Sequence, residues 1–158
     1  MDVPPLQPGT PCVVAELLPH SHEMLLADAV NYGADYGQIM LTIRPDSFFC
    51  DGVQGVPAWV GIEYMAQAMG VFSGVQMRQA GHALRIGLLI GTRRYDSEVA
   101  TFALGTTLTA TAKLVSRESE HMYVFACEID DGSRVLARGD IKAYRPDDIH
   151  EFLEMAKQ

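Results

Sequence analysis

The sequence predicts an α+β fold in which one long helix is wrapped by an antiparallel β-sheet. Three observations predict it. Residues 59–77 form a long apolar stretch with a single charge, Glu63. After Gly81 the apolar residues no longer recur with a helical period but alternate as in strands, and four such stretches follow in succession. Because a helix that is apolar on nearly all sides needs cover on nearly all sides, we expect the sheet to wrap around it.

The chain before the helix is predicted to contribute one clear strand. Residues 1–11 carry four of the eight prolines and are expected to be extended. Two short apolar stretches, 12–18 and 24–30, flank a polar cluster, and residues 31–37 are typical of a hairpin connection. Gln38 to Arg44 alternates and is predicted to be a strand, followed by a loop over 45–56.

The helix is predicted to begin at Pro57, a residue favoured in the first turn, and to run to about Arg78, with Gly81 ending it. We expect the sheet to approach the helix closely at a stripe of small residues, Ala66, Gly70 and Gly74. Strands are predicted over 87–95, 106–117, 122–130 and 134–144, with a hairpin turn at 130–133 and a short terminal helix over 147–157.

Composition and charge exclude several classes of function. The 158 residues, 48% hydrophobic and 20% charged, are predicted to form a single domain over residues 1–158. The net charge is −8, and no run of Lys or Arg is longer than Arg93-Arg94, so we expect neither nucleic-acid binding nor a membrane-surface helix. Glu63, Gln67 and Gln76 argue against a transmembrane helix. The N-terminus has no signal-peptide pattern, and we expect a cytoplasmic protein.

The cysteines and histidines do not form a predicted metal site. Cys12, Cys50 and Cys127 are odd in number and widely spaced, and we interpret them as reduced thiols. His20 and His22 lie close together in the sequence, but no third and fourth ligand are evident. We therefore predict no metal and no cofactor.

Two motifs resemble those of a known enzyme family. Leu18-Pro19-His20, followed by Leu25-Leu26 and Asp28, is similar to a motif near the start of 3-hydroxyacyl-ACP dehydratases, which have the hot-dog fold. The stretch Glu63-Tyr64-Met65-Ala66-Gln67-Ala68 resembles their helix signature. Residues 55–67 are closer still to the dehydratase-like subunits of aryl-polyene biosynthesis clusters. The resemblance implies a hot-dog fold and a dimer, the double hot dog.

The resemblance also implies a reaction, the elimination of water from a 3-hydroxyacyl thioester to give the trans-2-enoyl thioester. That reaction needs a base, an acid and hydrogen-bond donors for the thioester oxygen. We expect Glu63 to be the acid, with a pKa raised by burial, although a glutamate in a first turn can also simply complement the helix dipole. Backbone N–H groups of Ala58 and Trp59 are candidates for binding the oxygen, and Gln67, one turn later, could orient Glu63.

One departure from the family leaves the identity of the catalytic base open. The family's catalytic His lies in a His-Phe-Pro-Gly motif just before the helix, and the matching stretch here is Ser47-Phe48-Phe49-Cys50-Asp51-Gly52. No His lies between His22 and His82. Either His20 takes the role, or a second hot-dog dehydratase contributes the base in a heterodimer.

Other functions and partners also stay open on the sequence alone. A hot-dog thioesterase would also place a helix carboxylate beside an acyl thioester, and a non-catalytic subunit could complete a partner's site. An acidic acyl carrier protein is expected to dock at a local basic patch, for which the candidates are Arg78, Arg85, Arg93 and Arg94. The same arginines could equally serve surface solubility. The sequence does not decide the acyl-chain length, the choice between homodimer and heterodimer, or that between a carrier protein and CoA.

Overall fold

A computed structural model of the protein describes Leu17, Leu18 and residues 24–158. The predicted extended lead-in, Cys12, His20 and His22 lie outside these residues. The described elements are, in order, β1 (Ala29–Tyr32), β2 (Tyr36–Thr42), β3 (Gly55–Pro57), a 3-10 turn (Ala58–Val60), α1 (Gly61–Gln79), β4 (Leu88–Ser97), β5 (Thr101–Ala103), β6 (Thr107–Arg117), β7 (Met122–Asp130), β8 (Val135–Tyr144) and α2 (Ile149–Ala156).

The main sheet has six antiparallel strands in the order β1-β2-β6-β7-β8-β4. The five strands predicted from alternation are all in it, and its concave face packs on α1, chiefly through β2 and β6. This confirms the predicted long helix wrapped by an antiparallel sheet. Two strands, β3 and β5, form a separate small sheet that the sequence did not predict. Each has three residues, too few for a period of two to be recognised.

The helix α1 is covered on nearly all sides, as predicted. Among its residues only Gln79 is exposed. Its buried side chains include Tyr64, Met65 and Phe72, and the largest buried strand residues of the same core include Phe102 and Ile129. An aromatic contact between Phe72 and Phe125, with ring centroids 5.5 Å apart, joins the helix directly to β7.

The stripe of small residues on α1 has a different neighbour from the one predicted. A Cβ added at Gly74 would lie 2.2 Å from the carbonyl oxygen of Leu17, and one at Gly70 would lie 2.8 Å from a side-chain carbon of Leu18. The prediction that the sheet approaches this stripe is therefore wrong, because the chain before β1 lies there. The sheet makes its close approach at Gly37 in β2, where an added Cβ would lie 2.2 Å from the carbonyl oxygen of Ala68.

The predicted C-terminal helix is present as α2, and it begins at a side-chain cap. The carboxylate of Asp148 accepts hydrogen bonds from the N–H groups of His150 (2.8 Å) and Glu151 (3.2 Å). Neither α1 nor α2 has the length and the apolar character that a membrane-spanning helix needs.

Candidate active site

Glu63 lies in the first turn of α1 and faces a cavity of about 270 Å³. One wall of the cavity is a face of α1 that includes Met69 and Ser73, and the other walls come from residues 85–89, from β7 and from the end of β8. Glu63 is half-buried in the single chain, so the predicted burial of its carboxyl is only partial. The lining is mainly apolar, which suits an acyl chain or a carrier arm better than a sugar or a nucleotide.

Gln67 lies one turn after Glu63 in α1 and contacts its carboxyl, and its predicted role in orienting Glu63 stays a prediction. Its side chain is fully buried, and its Nε2 donates to Oε1 of Glu63 (3.1 Å) and to the carbonyl of Met24 (2.6 Å). Its Oε1 accepts from the N–H of Leu26 at 3.0 Å, which fixes which side of the amide faces Glu63. Both amide protons are thus used, and Gln67 engages one of the two carboxyl oxygens of Glu63.

These hydrogen bonds also join the two sequence motifs in space. Leu26 belongs to the first motif and Gln67 to the second. Asp28 of the first motif has a structural part: its carboxylate accepts from the N–H of Thr42 (2.8 Å) and pairs with Arg44 (3.0 Å). The first motif therefore supports the strand pair β1–β2 and fixes the residue that orients Glu63.

One of the two N–H groups predicted to bind the thioester oxygen already has a partner within the chain. The N–H of Ala58 donates to the carbonyl of Ala100 at 3.0 Å, so it is occupied within the chain. Trp59 is the next residue, its side chain is 62% exposed, and N–H groups in a first helical turn have no partner within the helix. The role of these groups at the thioester oxygen stays a prediction, and it now rests on Trp59.

Tyr95 anchors this helix start, which the sequence did not reveal. Its hydroxyl donates to the carbonyl of Ala58, and a Cβ added at Gly61 would lie 2.3 Å from that hydroxyl. Burial raises the pKa of Tyr95 to about 12, so the hydroxyl stays protonated and remains a donor at neutral pH. The strand β4 thus positions the turn that carries Glu63.

The loop that replaces the family's histidine motif is ordered by Asp51 and has a strained residue, Phe49. Oδ1 of Asp51 accepts from three backbone N–H groups, those of Val53 (2.9 Å), Gln54 (2.7 Å) and Gly55 (3.0 Å), and these bonds lower the pKa of Asp51. Phe49 has a φ of 66°, in the left-handed region that non-glycine residues rarely occupy. Its ring packs against Phe48 and Trp59, with centroids 4.5 and 5.5 Å away.

No histidine of residues 24–158 lines the cavity beside Glu63. His82 is exposed beyond the end of α1, and His150 is in α2. His121 lies on the outer surface, in an edge-to-face contact with Tyr144 with centroids 5.9 Å apart, and its ring is 3.4 Å from the carboxylate of Asp147. His20 lies outside the described residues, so its role stays a prediction.

The arginines predicted to dock a carrier protein lie on three different segments. Arg78 is in the last turn of α1, Arg93 and Arg94 are on β4, and Arg94 pairs with Asp96. Arg85 lines the cavity and pairs with Asp147 at 2.7 Å. Their docking role stays a prediction.

A further cationic group, Arg145, lies at the far end of the cavity from Glu63 and was not predicted. Arg145 is only 6% exposed, and it donates to Ser73 (2.9 Å) and to the hydroxyl of Tyr123 (2.7 Å). Arg117 donates to the same hydroxyl at 2.8 Å. A single arginine after a strand is common in sequences, and only the fold shows that this one is buried beside a cavity.

The chain matches one family of known proteins over most of its length. A family model, ApeP-like, described as ApeP dehydratase, matches residues 12–154. No curated protein matches the sequence. A chain of "The Dehydratase Heterocomplex ApeI:P from Xenorhabdus doucetiae" is similar over 92% of this chain and 97% of that chain, with 28% sequence identity and a TM-score of 0.82.

More distant structures share the fold. An HP0420 homologue from Helicobacter felis has a TM-score of 0.60 and 12% identity, over 85% of this chain and 88% of that chain. A mutant of the thioesterase SAV0944 from Staphylococcus aureus has a TM-score of 0.53 and 15% identity, over 73% of this chain and 90% of that chain. These likenesses concern the fold alone. Together with the observed topology, the comparisons confirm the predicted hot-dog fold.

Proposed function

Because this chain belongs to the ApeP-like dehydratase family, we propose that it supplies the acid residue of a 3-hydroxyacyl-thioester dehydratase whose base comes from a partner chain. The observation that carries the proposal is the Glu63–Gln67 pair. Gln67 holds one oxygen of Glu63 at 3.1 Å, and the carboxyl faces a mainly apolar cavity large enough for part of an acyl thioester. The substrate is a 3-hydroxyacyl chain of polyene-type biosynthesis, carried by an acyl carrier protein.

In this proposal each step of the elimination is assigned to a chemical group of the protein or of its partner. The partner's histidine removes the proton from C2, Glu63 donates its proton to the C3 hydroxyl as that leaves as water, and the double bond forms between C2 and C3. Negative charge that develops on the thioester oxygen is stabilised by the N–H of Trp59 at the start of the helix, where the dipole also favours it. Gln67 keeps Glu63 directed at the leaving hydroxyl throughout.

The need for a partner is supported by the described residues beside Glu63 and by the edge of the sheet. No histidine of residues 24–158 lines the cavity. The loop in which the family has its catalytic histidine has phenylalanines here, Phe48 and Phe49. The strand β4 ends the sheet, and the exposed apolar side chains on and just before it are Ile86, Leu89 and Ile90. A second hot-dog chain pairing along β4 would cover these side chains and the part of the cavity that Ile86 and Leu89 line.

The similarity to a chain of a dehydratase heterocomplex supports a heterodimer over a homodimer. In a homodimer both sites would have Glu63 and neither would have a histidine in the usual loop. In a heterodimer one site combines Glu63 with the partner's histidine. We therefore propose one composite site of this kind per heterodimer.

The test is an assay of 3-hydroxyacyl-carrier-protein dehydration by the purified chain, by the partner, and by the complex of the two. We expect the chain alone to be slow or inactive and the complex to be active. We also expect His20→Ala to change the activity of the complex little. Full activity of the isolated chain, lost on His20→Ala, would contradict the proposed origin of the base. Hydrolysis of acyl-CoA without a carrier protein would favour a thioesterase instead.

A further inference from the structure

The end of the cavity away from Glu63 carries a group of arginines that the elimination does not use. Arg145 is 6% exposed, and among the described residues its N–H groups find partners at Ser73 and at Tyr123. Its Nε is buried and has no hydrogen-bond partner within the described part of the chain. A buried donor without a partner is rare and costly, which marks the Arg145 side chain as a candidate for binding a ligand.

Two more arginines lie beside Arg145. Arg117 and Arg145 both stand over the ring of Tyr123, with guanidinium carbons 5.1 and 5.0 Å from its centroid. Burial lowers the pKa of Arg145, and so do the positive charges of Arg85 and Arg117. Among the described residues, Arg85 has a carboxylate partner in Asp147, whereas no carboxylate forms an ion pair with Arg117 or Arg145. An anion bound here would relieve the repulsion between the three positive charges.

We propose that Arg145, with Arg85 and Arg117 beside it, binds the phosphate of the substrate's carrier arm, a phosphate-linked pantetheine, where that arm enters the cavity. This inference rests on the proposed function, since it takes the substrate to be a carrier-bound thioester. The phosphate would accept hydrogen bonds from the N–H groups of Arg145 that Ser73 and Tyr123 do not use. Arginine forks suit this role because they can hold two oxygens of one phosphate at once.

The shape of the site favours the carrier arm over the tail of the acyl chain. Arg85 and Arg145 line both the cavity and an open surface depression next to it, which also includes Arg117 and His121. The arginines therefore stand where the cavity opens to solvent. A carrier protein cannot enter the cavity, so its phosphate must stay at an opening while the thioester reaches Glu63.

The length of the cavity fits the same arm. Glu63 and Ser73 are ten residues apart on α1, which places them about 15 Å apart along the helix axis. An extended chain advances roughly 1.2 Å per bond, so the roughly thirteen bonds from the thioester sulfur to the phosphorus of the arm span about 15 Å. With the phosphate at Arg145, the thioester therefore lies beside Glu63.

The experiment measures binding of two probes, phosphopantetheine and pantetheine without the phosphate, to the full chain alone and in complex with its partner. We expect phosphopantetheine to bind about tenfold to a hundredfold more tightly, because hydrogen bonds to charged groups have this strength. Arg145→Gln, Arg117→Gln and Arg85→Gln should each reduce that preference, with Arg145→Gln reducing it most. Arg138→Gln, which removes an exposed arginine of β8 that pairs with Glu128, is the matched control and should keep it.

The outcomes separate this inference from the proposed function. Equal binding of the two probes to the unsubstituted protein would overturn the inference, whether or not the complex dehydrates its substrate. An inactive complex that still prefers phosphopantetheine would contradict the proposed function and leave the phosphate site supported. If Arg145→Gln does not fold, shown by its thermal unfolding, the exposed Arg117→Gln decides the question. The arginine variants could instead lose binding of an acyl chain with an acidic tail while they keep the preference for phosphopantetheine. That result would show that the arginines bind the tail, and it would overturn the inference.

Discussion

Gln67, the proposed positioning residue, connects Glu63 to the chain before β1 through its hydrogen bonds. Its amide contacts Glu63, Met24 and Leu26 at 3.1, 2.6 and 3.0 Å, and it is completely buried. Replacing it therefore disturbs two things at once, the direction of the carboxyl and the backbone of the first motif.

For Gln67→Met we expect the free energy of unfolding to fall by about 1–3 kcal/mol, because the N–H of Leu26 loses its acceptor. We expect kcat of the complex to fall by roughly tenfold, less than on loss of the acid itself, with KM nearly unchanged. Gln67→Glu can restore the acceptor, but it buries a second carboxyl against Glu63 and the carbonyl of Met24, so it should recover little of the stability or of kcat. A variant with full kcat would contradict the positioning role.

Several of these residues could be predicted from the sequence, and others could not. The Glu63–Gln67 contact follows from a separation of four residues on a helix, which is local. The anchoring of the helix start by Tyr95 and the burial of Arg145 depend on strands far away in the sequence, and no local pattern marks them. The hydrogen bond that occupies the N–H of Ala58 comes from Ala100, for the same reason.

Two glycines in the second half of α1, Gly70 and Gly74, lie against different parts of the segment before β1. At Gly74 the neighbour is the carbonyl of Leu17, whereas at Gly70 it is the end of the Leu18 side chain, which can move. Both glycines lie in the interior of the same helix, so replacing either by alanine gains about 1 kcal/mol of helix propensity.

We therefore expect Gly74→Ala to destabilise the protein and Gly70→Ala to be neutral or stabilising. The reason is that a Cβ at Gly74 would stand 2.2 Å from a backbone oxygen, so the segment before β1 or the helix must shift. The measurement is the midpoint of thermal unfolding of the two variants beside the unsubstituted chain. An equal effect of the two substitutions would show that Leu17 does not pack on the helix as described.

The long secondary-structure elements could be predicted from the periodicity of their apolar residues. The helix and the five longer strands were predicted because each repeats its pattern several times. The stripe of small residues predicted a close approach correctly, but the sequence could not tell which segment approaches. That choice depends on how the chain before β1 returns to the helix, which is a tertiary property.

The proposed assembly with a partner depends on β4, the edge strand that borders the cavity. Leu89 and Ile90 are 43% and 51% exposed, and β4 makes its described pairing on one side only, with β8. An exposed apolar edge of this kind favours pairing with another chain. A partner there would also protect the cavity from solvent.

We expect light scattering to show a dimer in the chain's complex with its partner, and Ile90→Glu to weaken that association by placing a charge in an apolar interface. Val115→Glu is the matched control, since Val115 is exposed on a different strand, and it should leave the association unchanged. Unchanged association of the Ile90→Glu variant with the partner would contradict the interface at β4. A stable monomer with full activity would contradict it as well.

The central claim is that Glu63 acts as the acid of a site completed by a partner, and Glu63→Gln tests it most directly. Glutamine keeps the size of the side chain and removes the ionisable proton. In the complex, this variant should lower the rate of 3-hydroxyacyl dehydration by about 10²–10⁴-fold while dimerisation and thermal unfolding change little. Glu154→Gln, an exposed glutamate on α2, should leave the rate unchanged. A Glu63→Gln complex with full activity would contradict the account.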